Sequence, residues 1–271
     1  MSEVRIITAQ PPSLGQYIKE LAKFRSLIWV FARQELKTMY AQTYFGLLWT
    51  VIRPLATLLI FTVIFKLFLK VPTQSPYYLF AFTGMIAWNL FSYITTYASS
   101  AVLQKQHLIR KMYFPKLILP LSKIIPGCAE AAISFTILLL FMLFEGAMPG
   151  RQLLLAPFFL LLNIICGYAV AVWMNALNIR FRDLNQIVPT IIGIGVWVTP
   201  VFYPSTIIPS AYNHFVYINP MAGIIKGYRY ALLGEAFPEI QYWFAIVFVL
   251  LLAVIGTWYF NKVEDKMVDY A

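Results

Sequence analysis

Charge is scarce in this chain, and so are the residues that do chemistry. Of 271 residues only 12% are charged, against 61% hydrophobic. A soluble domain of this length cannot hide so much apolar surface, because its outer face must meet water. Lipid is therefore the solvent for most of the chain, and a single membrane domain over residues 1–271 is the simplest organisation. Cysteine is limited to Cys128 and Cys166, both in apolar stretches, which excludes a disulfide scaffold and reads as two reduced interior residues. Histidine is limited to His107 and His214, with no His-x-x-x-His or Cys-x-x-Cys pair, so no zinc site is expected. No Gly-Lys dipeptide occurs, which excludes a nucleotide-binding P-loop. No Gly-x-Ser-x-Gly elbow occurs either. Acids within apolar segments reduce to Glu130, with Glu145 at a segment end. That shortage weighs against a membrane-embedded glycosyl or acyl transferase. A secondary transporter would carry more intramembrane charge or a repeat.

What is present is basic, apolar and aromatic. The net charge of +10 would suggest nucleic acid in a soluble protein. On this apolar background the cations instead face anionic lipid and fix orientation. No apolar h-region lies near Met1, so the N-terminus is expected in the cytoplasm, with the first span an uncleaved anchor. Residues 14–44 read as an amphipathic interface helix, with Tyr17, Leu21, Phe24, Leu27, Ile28 and Phe31 at spacings of three or four. Within residues 45–260 the spacing predicts about six transmembrane helices, near 45–69, 78–102, 117–144, 153–177, 187–203 and 240–260. Pro120, Pro126 and Gly127 predict a break early in the third. The Pro- and Gly-punctuated stretch 204–238 suits short re-entrant helices. With both termini inside, the inner side collects most Lys and Arg, including the loop from Gln104 to Lys116, and the opposite orientation violates the positive-inside rule.

Four segments in a fixed order resemble the ABC-2 family of exporter permeases, in the branch that handles O-antigen, capsule and teichoic-acid chains. They are Ala32–Tyr40 with Tyr44–Trp49, Leu108–Pro115, Asn178–Asp183 with Pro189, and Thr199–Pro204 with Asn219-Pro220 and Gly227–Gly234. Arg53 before Pro54 departs from the uncharged polar residue expected there. The resemblance implies an all-α integral protein of the inner membrane. It implies a homodimer of this chain with two separate ATP-binding cassette subunits, which would hold the ATP and Mg. It also implies a lipid-linked glycan as substrate, moved along a path between the two permease copies. Export of another lipid or a drug is the competing reading inside the family.

Candidate sites follow, each with two readings. Leu108, Arg110, Lys111, Tyr113 and Phe114 form either an ATPase-coupling loop or a topogenic basic loop; bulky residues beside the cations favour docking. Arg33, Glu35 and Lys37 are the matching contacts on the interface helix, which could equally serve only as a lipid anchor. Tyr44, Trp49, Trp173, Tyr242, Trp243, Trp258 and Tyr259 fit interface belts. Trp88, Phe91, Tyr93, Trp197, Phe202 and Tyr203 lie deeper and are candidates to line a sugar path. Arg53 is an ionisable residue inside a span; it either holds the lipid-carrier phosphate at the entrance or snorkels to the interface. Lys226 and Arg229 are placed at the outer side, as a gate for acidic groups or as headgroup contacts. Glu130 is expected to pair with Lys123.

Overall fold

The computed structural model describes residues 13–41, 44–178, 181 and 183–264, and among them every regular element is helical. Helix α1 (Leu14–Lys23) starts at a capping box in which the Ser13 hydroxyl accepts from the Gln16 N–H and the Gln16 side chain accepts from the Ser13 N–H. Helix α2 (Arg25–Tyr40) follows a break at Phe24. The interface segment is therefore two helices rather than one. The break lets Tyr17 and Leu21 of α1 and Phe31 of α2 reach one buried cluster with Phe114 and Phe260.

Among the described residues, four helical runs are long and apolar enough to cross a membrane: Gly46–Phe68, Ile118–Glu145, Arg151–Asn178 and Ile240–Val263. The first contains α3 (Trp49–Phe61), continued as a π-helix over Thr62–Phe68. The second is α7 (Ile118–Ser122) and α8 (Ile124–Glu145), interrupted at Lys123, between Pro120 and Pro126, where each ring removes a backbone donor. The third and fourth contain α9 (Ala156–Asn178) and α13 (Ile240–Val263).

The two other expected spans differ from these for physical reasons. Helix α4 (Tyr77–Tyr93), extended as a π-helix over Ile94–Ala98, is rich in aromatic and hydroxyl residues. It need not be purely apolar, because other helices surround it: Leu79 through Trp88 are all buried. Helix α10 (Leu184–Val198) has 15 residues, about 22 Å of rise, and stops short of a full crossing of about 30 Å. Beyond it the chain runs through turns and α11 (Asn213–Ile218) into α12 (Pro220–Leu233). Asn219 caps α12, its side chain accepting from the Met221 N–H, with Pro220 in the first turn.

Helix α12 packs against α4, α9 and α13. A Cβ at Gly227 would lie 2.1 Å from the Phe159 ring, so only glycine permits that approach. Polar side chains fasten the interior. Asn163 donates to the Ala87 carbonyl at 2.9 Å and Asn178 to the Ser99 carbonyl at 2.8 Å. Asn175 donates to the Ala98 carbonyl and accepts from the Val102 N–H. Carbonyls released where the π-helix ends thus find partners within the protein, as lipid requires. The outward face of α13, including Phe244, Phe248 and Leu251, is exposed and apolar.

Candidate functional site

The loop after α4 is built from two one-turn helices, α5 (Ala101–Gln104) and α6 (Gln106–Ile109), and the stretch that leads to α7. Ile109 and Phe114 are buried at its two ends, and Phe114 meets Phe31 of α2 with ring centroids 5.9 Å apart. Between these anchors Arg110, Lys111, Met112 and Tyr113 are exposed. Leu108 is half-buried against the same cluster. On α2, Arg33 and Lys37 are exposed, while Glu35 forms an ion pair with Lys123 Nζ at 2.7 Å. Lys123 also donates to Gln104 at 3.4 Å. The expected Lys123–Glu130 pair is thus replaced: the break between α7 and α8 turns Lys123 toward α2.

A second fastener comes from the end of α13. The Tyr17 hydroxyl donates to Glu264, whose Oε1 also accepts from the Lys116 N–H at 2.7 Å. The Lys116 ammonium lies 3.7 Å from the same carboxylate. Burial and the neighbouring Glu264 charge hold the Tyr17 hydroxyl protonated far above its ordinary range. One carboxylate therefore joins α1, the loop's far end and α13. These contacts tie the loop and the interface helices into one basic face. Sequence reasoning missed Glu264, because its partners lie 148 and 247 residues away and no local pattern announces them.

Beside this face a cleft of about 500 Å³ opens between α3, α4 and α8. Each helix gives it a polar stripe at helical spacing. From α3 come Thr50, Arg53 and Thr57, and from α4 come Asn89, Ser92 and Thr96. From α8 come Glu130 and Ser134. Arg53 and Asn89 are exposed, and neither side chain has a polar partner among the described residues. Tyr93 and Tyr97 also line the cleft, their rings 4.6 Å apart, and the Tyr93 hydroxyl contacts Met39 sulfur at 3.3 Å.

The other sequence-predicted aromatics separate. Trp88 and Phe91 are buried, with centroids 5.5 Å apart. Phe202 is stacked on Phe61 at 3.5 Å. A path along these three exists only if helices of one chain part. Trp197 is 58% exposed, and the Tyr203 hydroxyl caps the end of α10 by donating to the Trp197 and Val198 carbonyls at 3.0 and 3.1 Å.

The two cations expected at the outer side are also engaged. Lys226 pairs with Glu239. Arg229 is 4% exposed, which removes it from headgroup contact. It donates to the Val201 carbonyl at 2.7 Å and lies over the Phe80 ring at 3.4 Å. Gly84 admits this arrangement, since a Cβ there would sit 2.6 Å from Val201 oxygen. Tyr77 donates to the Phe202 carbonyl at 2.9 Å, and Asn219 to the Thr199 hydroxyl at 2.8 Å. The non-helical turn after α10 is thus held by side chains from α4 and α12. Arg180 and Arg182, in the third family-like segment, lie outside the described residues.

The fold is that of a multi-helix membrane protein with a basic face formed by the loop and the interface helices. The family model for the ABC-2 type transporter matches residues 26–233, and the chain belongs to that family. It is 26% identical over 257 residues to the O-antigen export system permease protein RfbA of Myxococcus xanthus, covering 94% of this chain and 97% of that one. Klebsiella pneumoniae RfbA, another O-antigen export system permease protein, is 27% identical over 248 residues, covering 90% and 94%. The polysialic acid transport protein KpsM of Escherichia coli is 23% identical over 243 residues, covering 87% and 92%.

Proposed function

We propose that this chain is the permease subunit of an ATP-driven exporter that moves lipid-linked polysaccharide across the inner membrane. One observation carries the reading: almost the whole chain is similar to permeases of O-antigen export. The chain acts as a single transmembrane domain, paired with a second copy and with two ATP-binding subunits that hold ATP and Mg. Both termini are cytoplasmic. Arg110, Lys111 and Tyr113 dock on the ATPase, with Arg33 and Lys37 beside them. Phe114, Leu108 and Glu35 keep that surface rigid, so a displacement of the ATPase reaches α4 and α7 undiminished. Arg53 receives the phosphate of the lipid carrier through charge-assisted hydrogen bonds. Trp197 and Tyr203 offer aromatic surface to passing sugar rings, whose C–H faces pack on π-faces without tight registration.

The test is co-purification of the permease with a candidate ATP-binding subunit from the same cell, followed by ATP turnover with and without lipid-linked glycan. A stable complex whose turnover responds to the glycan is the expected result. A folded permease that forms no complex overturns the exporter reading, and a complex that responds only to drugs or simple lipids overturns the substrate.

A further inference from the structure

The cleft between α3, α4 and α8 has an uncommon position and an uncommon wall. From Leu79 to Leu90, α4 is buried at every position except Asn89. That one exposed residue is an amide, and it opens on the cleft. Two turns of the same helix and its extension continue the polar face, since Asn89, Ser92 and Thr96 follow near the helical repeat over about 10 Å of rise. Across the gap stands Arg53, a cation inside an apolar run of mean hydropathy 2.0. Polar groups at such depth are costly unless water or a polar ligand solvates them.

We propose that this cleft binds the junction of a lipid-linked glycan, where diphosphate meets the first sugar, and that Asn89 makes it selective for the sugar. The inference rests on the export reading above. Arg53 supplies two parallel N–H donors to a phosphate oxygen pair. The Asn89 amide offers both a donor and an acceptor, which matches adjacent hydroxyls of a sugar ring. Glu130 and Ser134 stand on the third wall for the remaining hydroxyls. A volume of about 500 Å³ suits a small head group rather than a polymer, so the cleft reads the beginning of the chain and not its repeat. The prenyl tail stays in the lipid beside α3.

The experiment uses the full permease–ATPase complex in lipid nanodiscs. Two probes are compared: a polyprenyl diphosphate bearing one N-acetylhexosamine, and the same diphosphate without sugar. Arg53→Gln should weaken both by about tenfold, as loss of a charge-assisted bond does. Asn89→Leu should weaken only the sugar-bearing probe, by about fivefold, leaving the sugar-free probe unchanged. Asn89→Ala repeats the measurement if the leucine variant does not assemble. If the wild type binds both probes and neither Asn89 variant changes their ratio, the cleft assignment is wrong while export stands. If the wild type binds neither probe, the export reading itself fails.

Discussion

Two segments between the long helices of this protein carry cations beside aromatic residues, and they treat those cations in opposite ways. In the loop between α4 and α7, Arg110 and Lys111 point outward on a segment anchored by Ile109 and Phe114. In the stretch after α10, Arg229 is buried and Lys226 is paired with Glu239. Composition alone cannot separate their cations, since both pairs stand among aromatic residues. What separates them is which groups are left without partners. Within the span region the non-helical backbone around Val201 and Phe202 must find donors inside the protein, and Arg229 and Tyr77 provide them. The loop at the other end has no such debt, so its cations remain available to a partner. The cations of the far segment are framework, and those of the loop are contact surface.

The largest effect should come from removing the framework cation. Arg229→Met deletes the donor to Val201 and the cation over Phe80, and removes the larger of the two cationic charge effects that oppose the burial of Glu235. Burial already pushes the Glu235 carboxyl above the usual carboxylate range, and loss of the opposing Arg229 charge should push it further in the same direction. Breaking a buried charged contact of this kind costs about 3 kcal/mol or more. Thermal unfolding in detergent should show a clearly lowered midpoint and a poor yield of monodisperse protein. A variant as stable as the parent would show that the turn after α10 holds without its side-chain clamp.

The contrasting variant is Arg110→Glu with Lys111→Glu. Both residues are exposed, so stability should change by no more than about 0.5 kcal/mol. Recovery of the ATPase in co-purification should nevertheless fall at least tenfold, because like charges then meet across the contact. Unchanged recovery with a folded permease would sink the docking role of the loop and with it the contrast drawn above.

The sequence made part of this legible. Apolar runs and their order, the break before Pro126, the short helices after α10 and the exposed Arg110–Lys111 pair all follow from composition and local pattern. Two polar stripes at i, i+3 and i+7, Thr50–Arg53–Thr57 and Asn89–Ser92–Thr96, and one i, i+4 pair, Glu130–Ser134, were also present in the sequence. Only the packing of three helices turns them toward one another. Long-range partners were not legible. Lys123 chooses Glu35 over Glu130, and Glu264 reaches Tyr17 and Lys116, because helix directions, not sequence distance, decide these pairs. Arg229 reads as an outer cation because re-entrant helices are polar enough to resemble surface.

The Tyr17–Glu264 contact gives an intermediate, pH-dependent effect. An unfolded tyrosine loses its proton near pH 10, whereas the folded Tyr17 holds its proton to higher pH. The unfolded state therefore releases the proton first, and stability contributed at this site is present below about pH 10 and declines as pH rises beyond it. Thermal midpoints of the parent and Tyr17→Phe should run roughly parallel from pH 7 to 9 and converge above pH 10. Parallel curves throughout would mean that the hydroxyl contributes nothing through this contact.

The smallest effect belongs to Lys226→Ala. Its partner Glu239 is 46% exposed at the side chain, so water screens the pair and the loss should not exceed about 0.5 kcal/mol. A midpoint within error of the parent, beside a large drop for Arg229→Met three residues away, would establish that burial and not charge makes the framework cation matter. A loss comparable to that of Arg229→Met would instead make the two cations one cooperative unit, and the far segment a single electrostatic network closed at Glu235 and Glu239.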